Sequence, residues 1–417
     1  MYKLPKIEYR KKEKDNYIVS PSLTFFGVSF EPDRFVAKCK DMCPAEEVDR
    51  RKSEEQVHKL EIIKPGTFQL VKSNLWSIVN TMEVDPNAIR TFNALSDTVT
   101  HLLLKVPDMF KKGSNAYAKH MLYSFLDDRF MAVRQDMQIQ ELPPQYSVVL
   151  LEPMIRVYIY YGYCLFDEHP FYFDRALNRQ NTLECIKWFL DCCDRLDRTE
   201  LLEIEMHRVT KPLKSILEIF KCRPELSVDR NLIESVNILF HLKDVTQAAN
   251  RYLTLPDYVK KAPPVKLAFE IAKANMHNNY TRVLKLSKEL CPLTYAVLGY
   301  YIPELQKKGL QIMSAAYHSR HRVIPTKDIY KQLNFWSPTS MANQCQRYGL
   351  DVDHSQCEPL DYTDSCDESH CSILFEKDMF LPDVEPKLMA ILSNLTIMNL
   401  EEVFTYYTGD PKYMKKK

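Results

Sequence analysis

Two groups of cysteine and histidine residues carry the residue types that bind metal ions. Cys39 and Cys43 lie four residues apart, and His58 is the nearest further candidate. Thiolates at short spacing suit zinc, but a second pair at a regular distance is missing. The second group has irregular spacing and comprises Cys345, His354, Cys357, Cys366, His370 and Cys371. Because buried cysteines commonly pack as small apolar side chains, packing is the favoured interpretation of both groups, and we expect no metal.

Sequence signatures of catalysis are missing. The chain has no glycine loop of the phosphate-binding or dinucleotide-binding kind, no His-Glu-x-x-His and no Gly-x-Ser-x-Gly. Paired acidic residues occur throughout, as expected where 27% of the residues are charged. The sequence therefore predicts a protein that is not an enzyme and needs no cofactor.

A charged helix is predicted over residues 125–140, which contain neither Gly nor Pro. Arg129 and Asp136 lie seven residues apart, on one face of this helix but two turns apart, which is too far for a direct pair. We expect them to bind neighbouring helices or the loop at Cys39–Cys43 and to fix how helices stack. A role in chemistry is the less favoured alternative.

The elements that position these residues are predicted to be short helices. The chain has only 8 Gly but 24 Pro among 417 residues, which disfavours sheet-rich folds and favours frequent helix breaks. From about residue 85 to 300 the apolar period is helical, which indicates stacked helical pairs without a fixed repeat. A further helix is predicted from Pro44 to about Leu60, with Glu46 and Glu47 in its first turn.

A different pattern begins near residue 300. Helices are predicted from Pro303 to Tyr317, from Asp328 to Leu333 with Thr326 as a candidate cap, and from Ser337-Pro338 to Gly349. Short strands are predicted near residues 350–352 and 371–375. This is the element order of a winged-helix domain. We therefore predict a mostly α fold in which a helical-pair array precedes a C-terminal winged helix with a small β-hairpin. The predicted boundaries are an N-terminal extension at 1–32, the array at 33–300, the winged helix at 301–376, and a helix with a basic tail at 377–417.

Charge is segregated along the C-terminal third, although the net charge of the whole chain is only +1. Residues 300–350 hold seven basic and two acidic residues, whereas residues 351–385 hold eleven acidic residues and one lysine. The basic residues are candidate nucleic-acid contacts, with a solvated helix face as the alternative. They are Lys307, Lys308, Arg320, Arg322, Lys327, Lys331 and Arg347.

Targeting features are missing from the sequence. The polar N-terminus lacks an apolar signal segment, and no stretch approaches the roughly 20 apolar residues of a membrane span. We therefore expect a protein of the nucleus and cytoplasm with reduced thiols and no membrane partner.

Four sequence blocks follow one another between about residues 36 and 375, and the first of them is the run CKDMCPAEEVDRR. Their characteristic residues are Cys39, Asp41, Met42, Cys43, Pro44, Glu47 and Arg51; Phe125, Asp128, Arg129, Arg134 and Asp136; Asn279, Tyr280 and Arg282; and Tyr348, Gly349 and Leu350. Taken together, the blocks resemble the SAC-three (SAC3)/GANP family, whose domain opens with a signature similar to the first run and has the other three blocks in the same order.

The resemblance implies a non-enzymatic scaffold that ends in a winged helix. In long relatives this domain is the scaffold of TREX-two, the complex that couples transcription to mRNA export at nuclear pores. The resemblance implies a PCI-domain partner with its own winged helix, a small acidic DSS-type peptide, and a joint surface for RNA or DNA.

Two cellular roles remain open at the level of the sequence. The chain lacks the Phe-Gly repeats, centrin-binding helix and acetyltransferase-like region of long relatives. Its layout is similar to that of short SAC-three-domain members, which are linked to centrosome duplication and spindle assembly. We therefore expect a role at the centrosome and spindle and in mitotic progression, with a TREX-two-like role in nuclear mRNA export as the alternative.

Overall fold

The fold was analysed in a computed structural model of the 417-residue chain. The residues that it describes are 24–25, 28–29, 36–64, 66–74, 85–107, 116–166, 168–206, 228–319, 323–335, 337–353 and 372–385. The predicted C-terminal helix, Arg320, Arg322 and the residues of the second cysteine group other than Cys345 lie outside them.

The described residues form fourteen α-helices and seven short strands. The helices are α1 (Ala45–Ser53), α2 (Phe92–Thr100), α3 (Ala116–Ile139), α4 (Pro144–Cys164), α5 (Arg175–Met206), α6 (Arg230–Phe240), α7 (Val245–Thr254), α8 (Asp257–Lys260), α9 (Pro263–Met276), α10 (Tyr280–Leu286), α11 (Pro292–Gly299), α12 (Ile302–Ala316), α13 (Thr326–Ile329) and α14 (Pro338–Arg347). The strands are β1 (Thr24–Phe25), β2 (Val28–Ser29), β3 (Ile62–Lys64), β4 (Thr67–Phe68), β5 (Val323–Pro325), β6 (Asp351–Asp353) and β7 (Ser372–Leu374). The predicted mostly helical fold with a small sheet is confirmed.

The chain divides into two compact units. The first comprises Met1–Met154 and Lys187–Val228, and the second comprises Ile155–Ile186 and Asp229–Lys417. The domain boundaries expected from the sequence stay predictions. None of the helices in the described ranges is long and apolar enough to cross a membrane.

The core of the first unit is built largely on α3. Leu126, Phe130, Val133 and Met137 recur at helical spacing and are fully buried. Such a stripe turns one helix face away from water, and burying each side chain stabilises the fold by about 1.5–3 kcal/mol. Arg129 and Asp136 lie on the face of α3 next to this stripe and are buried too.

The core of the second unit contains polar contacts that fix the helix packing. Arg179 Nη2 donates to the carbonyl of Phe240 at 3.3 Å, and Tyr301 Oη donates to the same carbonyl at 2.7 Å. A Cβ atom on Gly162 would lie 2.4 Å from Tyr300 Oη. Glycine at this position in α4 therefore permits the close approach of the buried tyrosine.

A three-stranded antiparallel sheet follows α12, with β7 between β5 and β6. Val352 pairs with Ile373, which in turn pairs with Ile324, so the predicted hairpin gains β5 as a third strand. Ser337 Oγ accepts a hydrogen bond from the Ser340 amide and caps α14, as predicted. The winged-helix assignment stays a prediction.

Two helix boundaries differ from those expected. The first helix ends at Ser53, not near Leu60, because Glu55 adopts a left-handed φ of 54° and the Gln56 amide bonds back to the Arg51 carbonyl. A separate 3₁₀ turn then covers Lys59–Glu61. The helix expected from Asp328 to Leu333 is instead α13, Thr326–Ile329, and Thr326 is its first residue instead of its cap.

Candidate functional site

The loop before α1 is held in place by its backbone. The Cys39 amide donates to the Ile89 carbonyl at 3.0 Å, and the Thr91 amide donates to the Cys39 carbonyl at 2.8 Å. The Met42 carbonyl accepts from the Lys72 amide at 3.0 Å. Since two later chain segments, at Lys72 and at Ile89–Thr91, form backbone hydrogen bonds with this loop, the backbone alone fixes its position.

The two motif cysteines pack inside the protein. Cys39 and Cys43 are both buried, and Cys39 Sγ donates to the Asp41 carbonyl at 3.3 Å. Burial is the main cause that raises the pKa of Cys39 and raises the pKa of Cys43 to about 12. Both thiols therefore stay protonated at neutral pH, which disfavours nucleophilic chemistry. In the described ranges no three His, Cys, Asp or Glu side chains are grouped as metal ligands.

Glu61 is the centre of the first ion cluster. Its carboxylate accepts from the guanidinium of Arg51, from Arg129 Nη2 at 3.2 Å and from the Val71 amide at 2.9 Å. Arg51 Nη1 also donates to the Val71 carbonyl at 3.1 Å. The cluster thus ties α1 and α3 to the segment after β4.

The outer ends of this cluster are Glu47 and Asp128. Glu47 Oε1 lies 3.5 Å from Arg51 Nη1 and accepts from both the amide and the hydroxyl of Ser73 at 2.9 Å. Asp128 pairs with its neighbour Arg129. Arg51 and Arg129 therefore each contact two carboxylates.

Asp136 is the centre of the second ion cluster. Its Oδ1 accepts from Lys72 Nζ at 2.6 Å, and its Oδ2 accepts from Arg90 Nε at 2.7 Å. Lys72 Nζ also donates to the Ala88 carbonyl at 2.7 Å, and Arg90 Nη1 donates to the Met42 carbonyl at 3.4 Å. Asp136 therefore connects α3 to the motif loop through two cations.

Charges in the two clusters balance. Arg51, Lys72, Arg90 and Arg129 are opposed by Glu47, Glu61, Asp128 and Asp136, and all except Asp128 are buried. Burial by itself would raise the pKa of Glu61, but the charge of Arg129, the amide of Val71 and the pair with Arg51 outweigh it and lower that pKa. The carboxylate is thus held in its charged form.

An aromatic pair adjoins the first cluster. The rings of His58 and Phe125 stack with centroids 4.7 Å apart, and the Arg129 guanidinium lies 4.6 Å above the Phe125 ring. His58 Nδ1 accepts from the Leu60 amide at 3.2 Å, so the imidazole caps a 3₁₀ turn. Burial, and next the charge of Arg129, lower the pKa of His58. Because His58 is neutral and its Nδ1 already accepts a hydrogen bond, its role here is to hold the 3₁₀ turn and the Phe125 ring in place.

Of the remaining residues of the second block, Arg134 is buried on α3, and its Nη1 contacts Met131 Sδ at 3.4 Å. The third block, at Asn279, Tyr280 and Arg282, begins α10. Asn279 Oδ1 accepts from the Arg282 amide at 3.0 Å and caps the helix. Arg282 Nη2 pairs with Glu270 at 3.0 Å, which ties α10 to α9.

The fourth block ends α14. Tyr348 and Leu350 are buried, and Gly349 has φ +81° between them. The Leu350 amide bonds to the Cys345 carbonyl and the Gly349 amide bonds to that of Gln346, which is the Schellman pattern of helix termination. A Cβ on Gly349 would lie 2.5 Å from the Met379 carbonyl oxygen. Both the left-handed backbone conformation and the close approach of the Met379 carbonyl therefore favour glycine at this position.

The candidate nucleic-acid residues that the structure describes fall into two sets. Lys307 Nζ donates to the Pro382 carbonyl and Lys308 Nζ donates to Asn278 Oδ1, so both have internal partners. Lys327, Lys331 and Arg347 are exposed.

Several members of the ion clusters were missed by the sequence analysis, namely Glu61, Lys72 and Arg90. Lys72 and Arg90 lie in no motif block, and single charged residues are usually solvated. A weak signal existed for Glu61, because its side chain accepts from the His58 amide three residues earlier, as in a capping box. Motif residues that come together at this site are those of the first two blocks; the third and fourth blocks belong to the second unit.

A family model described as the SAC3/GANP family matches residues 42–354, which is well over half of the chain. The chain belongs to the SAC3/GANP family. Its similarity to curated proteins is moderate. It is 25% identical to Protein xmas of Drosophila melanogaster over 76% of this chain, and 22% identical to SAC3 family protein 1 of Schizosaccharomyces pombe over 87% of it. A third relative, SAC3 family protein B of Arabidopsis thaliana, is 29% identical over 31% of the chain.

These relatives are much longer than this SAC3/GANP chain. The aligned region covers 15% of Protein xmas, 33% of SAC3 family protein 1 and 8% of SAC3 family protein B. Each alignment therefore covers one region of a longer relative. The family model, at residues 42–354, spans all four motif blocks except Cys39 and Asp41, which precede it.

Proposed function

We propose that this SAC3/GANP chain is a non-enzymatic scaffold of nuclear mRNA export that binds a PCI-domain protein together with a small acidic DSS-type peptide. The export part of the proposal rests on membership of the SAC3/GANP family, and the scaffold part rests on how the motif charges are used. Every carboxylate and cation of the two clusters is engaged with another motif or loop residue, and both motif thiols are protonated. Such groups position helices and have no free capacity for proton transfer.

A docking surface for the partner is supported by the sheet of the second unit. Among the described strands, β5 and β6 form the two edges of this sheet. The apolar residues Tyr317, Val323, Met379 and Leu381 are between 39% and 50% exposed. Unpaired strand edges and exposed apolar side chains favour association with another protein. Val323 lies on β5 itself, so we place the PCI-domain partner against this edge.

The test is affinity purification of the tagged chain from cells, with mass spectrometry of the proteins that accompany it. Recovery of a PCI-domain protein and a small acidic peptide is the expected result. Val323→Arg should reduce their recovery at least about tenfold, since it places a charge in a desolvated contact. Leu253→Arg is the matched control, because Leu253 is 68% exposed on α7 and lies outside this surface.

The centrosome and spindle role stays a prediction, and the same purification distinguishes it. Centrosomal or spindle proteins without a PCI-domain protein would contradict the export proposal and support that role. Recovery of neither set, from a chain that is folded and abundant, would contradict both proposals.

Nucleic-acid binding is a second candidate activity, supported by a basic cluster that the sequence did not show. Lys288 Nζ donates to the Lys331 carbonyl at 2.9 Å, which brings two exposed lysines from distant parts of the sequence together. Lys331 Nζ lies 5.6 Å from the Tyr330 ring centroid. Adjacent cations beside an aromatic ring suit single-stranded nucleic acid.

RNA affinity measured against salt concentration tests this activity. We expect affinity to fall steeply with salt and to fall further in Lys288→Glu and Lys331→Glu. Lys260→Glu is the control, because Lys260 Nζ also donates to a backbone carbonyl, that of Leu253, but Lys260 belongs to α8 and not to this cluster. Salt-insensitive binding, or equal losses in all three variants, would rule out this cluster as the contact surface.

A further inference from the structure

A polar cleft opens beside the first ion cluster, within the first unit. Its volume is about 550 Å³, within the range of sites that hold small ligands or a few side chains. Its walls come from α1, the turn after it, the segment at Ser73–Asn74 and α3. The motif network forms one side of the cleft, so the scaffold residues also fix its shape.

Two polar atoms in the cleft walls have unmet hydrogen bonds. Arg129 Nε and Asn74 Oδ1 are buried and have no hydrogen-bond partner among the residues described. Both residues line the cleft. One atom is a donor and the other is an acceptor, which matches the carbonyl and amide of a peptide group.

One cation at the mouth of the cleft is unbalanced. Arg50 is exposed on α1, and its guanidinium makes no ion pair with any of the described side chains. The other two arginines of the walls, Arg51 and Arg129, are already neutralised by carboxylates. One bound carboxylate would thus balance the remaining positive charge of the cleft.

A flat surface completes the cleft. His58 is half-exposed, lines the cleft, and is held in orientation by its stack on Phe125 and its bond from the Leu60 amide. A rigid ring of this kind favours stacking of another planar side chain. Planar surface, one cation and one donor–acceptor pair are therefore close together.

We propose that this cleft binds an extended segment of a partner protein through one carboxylate and an adjacent planar side chain. Arg50 binds the carboxylate, His58 stacks on the planar group, and Asn74 and Arg129 bond the peptide backbone. A nucleic-acid strand fits less well, because its affinity rises with the number of phosphates neutralised and only one wall cation is free. This proposal is independent of the sheet-edge surface assigned to the PCI-domain partner.

The experiment measures binding of a fluorescein-labelled Gly-Gly-Asp-Phe-Gly-Gly peptide to the full chain by anisotropy. Two matched peptides replace the aspartate by asparagine or the phenylalanine by alanine. Arg50→Glu should weaken binding of the parent peptide at least about tenfold, because it turns an attraction into a repulsion. Lys52→Glu makes the same charge change on the same helix outside the cleft and should leave affinity within about twofold.

A second variant tests the cleft by filling it. Ser124 is exposed on α3 and lines the cleft, so Ser124→Trp should block the peptide without disturbing the core. The proposal is overturned if the wild-type chain does not bind the peptide at millimolar concentration, or if Lys52→Glu loses as much affinity as Arg50→Glu. It is also overturned if a ten-nucleotide RNA binds, if Arg50→Glu weakens that RNA binding, and if the peptide does not bind. Equal affinity of all three peptides would likewise contradict it.

Discussion

Replacing Asp136 by asparagine tests the ion network most directly. Asp136 is completely buried, and its two oxygens accept from Lys72 and Arg90, which are at most 5% exposed. Asparagine keeps the size of the side chain but removes its charge. Lys72 Nζ then keeps its bond to the Ala88 carbonyl at 2.7 Å, but neither Lys72 nor Arg90 has a carboxylate left to balance its charge.

The expected loss of stability follows from the burial of the two cations. Breaking a buried ion pair typically costs about 3–5 kcal/mol, because an uncompensated charge stays in the interior. For a unit of 150–250 residues each kcal/mol lowers the melting temperature by about 2–4 °C. We therefore expect Asp136→Asn to melt roughly 6–20 °C below the wild type.

Thermal and urea unfolding followed by circular dichroism provide the assay. Asp128→Asn is the matched control on the same helix, because the Asp128 side chain is 38% exposed and its partner Arg129 keeps Glu61. A partly exposed pair is worth at most about 1 kcal/mol, so the control should lose only a few degrees.

A double substitution separates charge from packing. Lys72→Met in the Asp136→Asn background removes one of the two uncompensated cations and should recover at least about 1 kcal/mol. The reasoning is refuted if Asp136→Asn is no less stable than Asp128→Asn, or if the second substitution only adds to the loss.

Three further perturbations have defined outcomes. Gly349→Ala should lower the free energy of unfolding, measured in urea, by about 1–3 kcal/mol, because its Cβ would both strain the left-handed backbone and clash with the Met379 carbonyl. Gly66→Ala has the same φ but open space around the Cβ, so it should lower the free energy of unfolding by less. Gly162→Ala should destabilise the chain by a similar amount, and Tyr300→Phe should relieve part of this loss by removing the clashing oxygen; an additive double variant would contradict the proposed contact. Acidification from pH 7 to 5 should destabilise the wild type more than it destabilises His58→Asn. Folding lowers the pKa of His58, so the neutral imidazole contributes to stability above the unfolded pKa of about 6.5, and this contribution is lost as the pH falls towards the folded pKa. Parallel pH profiles of the two proteins would show that this residue does not titrate as described.

Local sequence signals anticipated much of the secondary structure. Pro44 ahead of α1, Ser337-Pro338 at the start of α14 and Gly349 at its end act over a few residues, and the structure has all three boundaries. The end of α1 was predicted too late because its left-handed residue is Glu55, where neither Gly nor Asn marks the helix end in the sequence. β5 was missed because its three residues end in Pro325, and a proline in a short run argues against a strand in the sequence.

The sequence by itself determined the helical class, the family blocks and the two residues, Arg129 and Asp136, whose spacing prevented a mutual pair. Only the tertiary structure decided their partners, Glu61, Lys72 and Arg90, which lie 46 to 68 positions away from them in the chain. Helix periodicity and capping depend on neighbours within one turn or two, so they are written in short stretches of sequence. Compensation of a buried charge depends on distance in space, and residue spacing gives no measure of that distance until the chain is folded.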